Sequence, residues 1–398
     1  MKIGVPAYRF DYYTNKRNII GILPEATYVP VRDLFSIRRR WALRFNRLVG
    51  KPLIPIFDLN NQFEDFDLNK VDLLHFSNGI SYGKTPWFTS FETIVPRFSR
   101  LVTRHQGEEA QTLPLDALTK RGLEALAGKA CKGIIAWSQN SRRIQEDFLG
   151  QFPNDYARAI LPKMTVLHPP QKLIVSERKP RDYTREDPMR FVLVGAAFFR
   201  KGGRELLNAF ERLVTERALP VKLVVVSSLR IEDYAARETE ADVAWAKGKL
   251  NSGADWIEYY PALPNADVIE LQKGADVGLL PTWADTYGLS VLEAQACGLP
   301  VISTDIRALP EMNDDQVGWL IKVPRNKLGE ALYTTAEQRA ELSRVIEQGL
   351  EETVRSIIAD PGIVAAKGHA AIAKIRAEHD PARYAEALRQ LYKTALAA

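Results

Sequence analysis

Residues 275–313 read ADVGLLPTWADTYGLSVLEAQACGLPVISTDIRALPEMN, and this stretch gathers residue types that can grip a charged ligand. An apolar run ends near Pro281, and a loop carrying Asp285 and Gly288 follows. The pattern predicts a helix from about Leu289 to Cys297, stopped by Gly298, Leu299 and Pro300, and then a buried strand over Val301 to Thr304. A glycine-bearing loop that feeds a helix presents unpaired backbone N–H groups and the positive end of the helix dipole, which suits a diphosphate. Glu293, about one turn inside the helix, can reach back toward a ligand hydroxyl, and Asp285, eight residues earlier, can grip a second part of the same ligand. Taken alone, an acidic loop residue and a helical glutamate describe a solvated surface equally well.

These residues need a scaffold to hold them. Short β-rich runs alternate with longer helical patterns in both halves of the 398-residue chain: VDLLHF, TPWFTSF, KGIIAWS and KMTVLH, then MRFVLVG, VKLVVVSS, ADVGLLPT and LPVISTD. Apolar runs bounded by Gly, Pro or Asp, with helices between them, predict parallel strands covered on both faces and hence α/β domains. The polar, proline-bearing run from Gln171 to Arg190 lacks periodicity and is the predicted linker between two halves. Two such halves predict a ligand cleft between them. Pro381 is expected to kink or restart the Ala-rich helical pattern that closes the sequence.

Composition removes several function classes. With 46% hydrophobic and 26% charged residues, the chain is neither collagen-like nor disordered. No apolar run approaches the ~20 residues of a spanning helix, and MKIGVPAYRF lacks the pattern of a secretory leader. Cys131 and Cys297 are the only cysteines, which excludes a disulfide scaffold and a four-cysteine metal site and fits a reducing, cytoplasmic setting. The net charge of +5 is mild, so diffuse nucleic-acid binding is not expected. No HExxH, phosphate-loop lysine motif or G-x-S-x-G occurs, and the first strand is not followed by the G-x-G-x-x-G of a dehydrogenase. Asp65-Phe66-Asp67 spells D-x-D in a polar stretch without a strand setting and is read as chance. Ile37 to Lys51 carries Arg40, Arg44, Arg47 and Lys51 on one helical face and Ile37, Trp41, Phe45 and Leu48 on another. Such a helix either packs in a core with solvated arginines, binds an anionic acceptor, or lies on an anionic membrane surface.

The run D-T-Y-G-L-S-V-L-E-A-Q-A-C-G-L-P-V-I, from Asp285 to Ile302, resembles the signature E-x-F-G-L-x-x-L-E-A-x-A-x-G-x-P-V-I of the retaining glycosyltransferases of family 4, with Asp285 where glutamate is more usual. By this resemblance Glu293 would bind a nucleotide ribose and Asp285 the donor sugar hydroxyls, while the amides around Gly288, Leu289, Ser290 and Val291 would cradle the phosphates. Residues 191–210, FVLVGAAFFRKGGRELLNAF, resemble the family's V-G-R-x-x-x-x-K-G strand and loop. There Lys201 would neutralise the diphosphate, and Arg200 could substitute for the family arginine replaced by Ala196; without the resemblance, both read as a solvated turn. KVDLLHF resembles the P-D-V-V-H strand, and His75 is expected to be structural rather than catalytic. PWFTSFE resembles P-V-V-x-T-x-H, with Glu92 standing where a histidine lies near the transferred sugar. A carboxylate there can accept sugar hydroxyls, stabilise an anomeric cation or serve as a nucleophile.

The resemblance implies the GT-B fold, two Rossmann-like doubly wound α/β domains facing across a cleft. Residues 1–175 would bind the acceptor and 190–370 the nucleotide sugar, with a helix at about 375–398 packing back on the first domain. It also implies a retaining, metal-independent hexosyltransferase without a cofactor, using a nucleotide diphosphate sugar and a glycan or lipid-linked acceptor, with peripheral membrane contact through 37–51. An epimerase or phosphorylase of the same fold, or a non-catalytic sugar-nucleotide-binding protein, stays open as an alternative.

Overall fold

The structure is a computed structural model that describes residues 1–102, 113, 115–232 and 234–397. It divides into two compact units: one runs to Pro170 and resumes at Pro381, and the other takes Gln171–Asp380.

The first unit is built on six parallel strands: β1 (Lys2–Pro6), β2 (Thr27–Val31), β3 (Leu73–Ser77), β4 (Trp87–Phe91), β5 (Cys131–Ala136) and β6 (Met164–Val166). Their order across the sheet is β2-β1-β3-β4-β5-β6. β2 escapes a pattern search because TYVPV carries Pro30, and a proline is tolerated at this sheet edge, where one side makes no ladder. The helix α1 (Leu34–Val49) follows β2; Asp33 and Ser36 form a reciprocal capping box at its start, and Gly50, at φ 70°, ends it. After β5, Ser138 caps α2 (Gln139–Leu149) by accepting the Ser141 N–H.

The second unit repeats the plan with β7 (Met189–Val194), β8 (Val221–Val226), β9 (Ile257–Tyr260), β10 (Val277–Leu280), β11 (Val301–Thr304) and β12 (Gly318–Ile321), in the order β9-β8-β7-β10-β11-β12. The Val- and Leu-rich central strands are nearly free of exposed side chains, whereas the edge strand β9 is half-buried along its length. The helices α3 (Gly203–Thr215), α4 (Leu289–Ala296), α5 (Ala336–Ala359) and α6 (Gly362–Glu378) belong to this unit. α7 (Pro381–Ala397) begins at the proline and packs in the first unit, where Tyr384, Leu388 and Tyr392 join Ile3, Val5, Leu73 and Phe88 in one core. The helix that returns thus starts at Pro381 and not at 375, because residues 362–378 form a separate helix ended before the proline ring.

His75 is fully buried in β3. Its Nδ1 meets the Tyr392 hydroxyl and its Nε2 lies 2.7 Å from Ser90 Oγ, so this imidazole fastens α7 to the sheet. Burial pushes its pKa down to about 3, which keeps it neutral.

The run 171–190 is a strap on the second unit and not a free linker. The Ile174 and Val175 N–H groups donate to the Ala296 carbonyl at 3.0 and 3.1 Å. Asp276, fully buried, accepts from Arg178 Nη2 (2.8 Å), Arg190 N (2.9 Å) and the Tyr183 hydroxyl (3.3 Å). Two of the charges that suggest solvation in the sequence, Arg178 and Arg181, are spent on this buried carboxylate, which would be costly without them.

Candidate functional site

Two loops of the second unit meet where its strand order reverses, between β7 and β10, the place where open α/β sheets hold ligands. The first loop leaves β7 and ends at Gly202, which caps α3 at φ 79°. A Cβ on Gly202 would sit 2.1 Å from the Pro281 carbonyl oxygen, so only glycine allows the loops to touch. Thr282 Oγ1 donates to the Arg200 carbonyl (2.9 Å), and the Trp283 N–H donates to the same oxygen (2.9 Å). Thr304 Oγ1 in turn donates to the Thr282 carbonyl at 2.7 Å, anchoring the latch in β11.

This latch brings Lys201 Nζ onto Asp285 Oδ2, in an ion pair whose side chains are each 12% exposed. Burial acts to raise the Asp285 pKa, but the Lys201 ammonium and the Arg200 guanidinium outweigh it and hold the carboxyl below its ordinary value. The other oxygen of Asp285 accepts the N–H groups of Tyr287 (3.3 Å) and Gly288 (3.1 Å). Gly288, at φ 90°, opens α4, and a Cβ there would strike Leu309 at 2.4 Å.

Of the first amides of α4, that of Val291 donates to the Gly288 carbonyl at 2.9 Å. That leaves Leu289 and Ser290, which have no carbonyl one turn back to meet them, as the amides of this turn open to an anion. Glu293 lies half-buried one turn further along α4. Arg200 is engaged as a brace, with Nε on Glu232 Oε2 (2.8 Å) and Nη1 on the Ala284 carbonyl (2.9 Å).

Lys201, Arg200, Asp285, Gly288, Leu289, Ser290, Val291 and Glu293 thus share the second unit. Glu92 belongs to the first, just beyond β4, where Arg97 Nη1 lies 3.3 Å from its carboxylate and its carbonyl accepts from Ser141 Oγ (2.8 Å). Sequence reasoning misses the Thr282 latch, Glu232 and the fully buried Glu205. Glu205 sits one turn past Lys201 on α3 and accepts from Ser343 Oγ of α5 at 2.6 Å, beside a cavity of about 80 Å³ that Trp283 also lines. Asp65 and Asp67 staple turns: Asp67 Oδ1 accepts the N–H groups of Lys84 (2.7 Å) and Thr85 (2.8 Å). Among the described residues no three His, Cys, Asp or Glu side chains gather as metal ligands.

Residues 188–338 match the family of glycosyl transferases group 1. The Escherichia coli O-antigen chain mannosyltransferase B is 30% identical over 122 residues, 31% of this chain and 30% of that protein. The D-inositol 3-phosphate glycosyltransferase of Saccharomonospora viridis is 34% identical over 101 residues, 25% of this chain and 23% of that one. The matched segments thus span less than a third of these curated relatives. Among solved structures, Anabaena Alr3699/HepE in complex with UDP aligns over 99% of this chain and 100% of its own, with a TM-score of 0.61 at 12% identity. The chain has the GT-B fold, and its residues 188–338 match the glycosyl transferases group 1 family.

Proposed function

We propose that the chain is a retaining glycosyltransferase that moves a hexose from a UDP- or GDP-sugar to a glycan or lipid-linked saccharide. The observation that carries this reading is the buried Lys201–Asp285 pair beside the Gly288 entry to α4. A diphosphate entering there meets an ammonium already desolvated and oriented, together with the dipole and first amides of a helix. These groups would stabilise the departing diphosphate without a metal and with no cofactor. Asp285, held ionised, would accept the sugar hydroxyls, and Glu293 the ribose. In the first unit Glu92 is offered to the sugar as a carboxylate restrained by Arg97. The leaving phosphate oxygen would take the acceptor proton on the face from which it departs, so configuration is retained.

The acceptor chemistry is read from α1. Its Ile37, Trp41, Phe45 and Leu48 are 44, 66, 45 and 85% exposed, so they do not form a core. An apolar face open to solvent and flanked by Arg38, Arg40, Arg44 and Arg47 suits an anionic bilayer, and we infer peripheral work at the inner membrane face in surface-polysaccharide synthesis. No helix of the described residues is long and apolar enough to cross a membrane.

Lys201→Ala and Glu293→Ala each should lower turnover by about a hundredfold or more. Glu293→Ala should leave the melting transition in place, whereas Lys201→Ala also lowers it by leaving the Asp285 carboxylate buried without its cation. Near-normal turnover in both would overturn the donor-site assignment. A thermal shift with UDP or GDP that survives EDTA is the matching result for metal independence.

A further inference from the structure

Three guanidinium groups gather at the carboxyl ends of neighbouring strands in the first unit, where its own strand order reverses between β1 and β3. Arg9, just past β1, donates from Nη1 to the Ser77 carbonyl that ends β3 (2.7 Å) and from Nη2 to Asn61 Oδ1 (3.1 Å). Arg39 reaches in from α1 and lies 5.4 Å from the centroid of the Tyr8 ring, over which Arg9 also lies, at 5.6 Å. Arg97, beyond β4, is 5.8 Å from the Phe57 ring centroid. All three are half-buried.

Counter-charge is scarce here. Glu92 is shared with Arg97. Asp33 is turned to the Phe35 and Ser36 amides of its own helix, and Asp58 to Ser99. Among the described residues Arg9 and Arg39 make no ion pair. Burial first, and then the positive charges of Arg97 and Arg39, lower the proton affinity of Arg9. Like charges assembled in a partly desolvated place repel, and an anion relieves them. Guanidinium forks match the oxygen geometry of phosphate in particular.

We propose that Arg39 and Arg97, backed by Arg9, hold a phosphate carried by the acceptor, so that the substrate class is a phosphorylated saccharide and not a neutral sugar. This rests on the reading of the first unit as the acceptor side. Arg9 acts as a positioning residue, since its hydrogen bonds tie β1 to β3 and present the Tyr8 ring to Arg39.

The test is calorimetric titration of the full chain with glucose 1-phosphate, inorganic phosphate and methyl α-glucoside. It uses Lys201→Ala as background, so that phosphate affinity on the donor side is removed. Glucose 1-phosphate is expected to bind, and adding Arg39→Gln and Arg97→Gln should weaken it by about tenfold or more. Arg39→Gln should leave the melting temperature equal or raised, because it removes repulsion without breaking an ion pair, whereas Arg97→Gln also gives up the pair with Glu92. With Lys201 intact they should leave UDP affinity within about twofold. Binding indifferent to both arginines, or equal binding of methyl α-glucoside, would overturn the proposal. Inorganic phosphate binding as tightly as glucose 1-phosphate would overturn the acceptor assignment. Failure of the wild-type chain to bind UDP would count against the donor site instead, and leave the arginine result standing.

Discussion

Glu205→Gln should make the protein more stable at pH 8 and leave it little changed at pH 4. Glu205 is fully buried on α3, its Oε1 accepts from the Ser343 hydroxyl, and the Trp283 side chain lies beside it in the same small cavity. Burial, only partly offset by Ser343, pushes its pKa from 4.5 up to about 7. The sign follows from linkage. Below pH 4.5 the folded and unfolded states both carry the proton, and nothing is lost. Between pH 4.5 and 7 the unfolded chain ionises while the folded one does not, so stability falls; above pH 7 both ionise and the loss stays constant. A rise of that size corresponds to a loss on the order of 3 kcal/mol. The glutamine side chain of the variant has the shape of the protonated acid at every pH and would escape the loss. Urea denaturation of both proteins from pH 4 to 8.5 measures it. The curves should meet near pH 4.5 and separate to about 3 kcal/mol by pH 8. Parallel curves across the range would refute the argument, because they would mean that Glu205 ionises in the fold as it does in water.

Two further outcomes follow from the first unit. Tyr392→Phe removes the hydroxyl that meets His75 Nδ1, and leaving a buried imidazole nitrogen unpaired should cost about 1–2 kcal/mol in thermal denaturation. An unchanged melting temperature would show that the His75 contact adds nothing to the hold on α7. Trp41→Ser combined with Leu48→Ser should reduce sedimentation with vesicles containing phosphatidylglycerol several-fold without moving the melting temperature, since both side chains are largely exposed. Equal sedimentation of both proteins would remove the membrane reading of α1.

The parts of this molecule that can be read along the chain are those whose pattern is local. Val221–Val226 and Val277–Leu280 are apolar because they are covered on both faces. Gly202 and Gly288 stand out because a loop must turn into a helix at each. The pairing of Lys201 with Asp285 is not legible, because it joins positions 84 apart and depends on a threonine latch with no signature of its own. Glu205 and Asp276 read as surface acids, since an α-helical glutamate and a strand-entry aspartate are usually solvated. The strap 171–190 reads as a linker for the same reason: its arginines answer a carboxylate about a hundred residues away. In α1 the spacing correctly separates a basic from an apolar side, but only the structure tells which side the core declines. Arg39 lies between Phe35 and Ala42 on the one stripe of α1 that turns inward, a position from which a sequence reading would expect an apolar residue.

The interleaving of the two units bears on how the chain is made. β1 and α7 share one core, in which Ile3 and Val5 are covered by Tyr384, Leu388 and Tyr392, yet more than 370 residues separate them. A ribosome adding about 5–20 residues per second leaves that core uncovered for tens of seconds. In that interval the Gln171–Asp380 unit, whose strands all come from one continuous stretch, can complete its own sheet. The first unit can thus close its core only after the whole of the second has been synthesised.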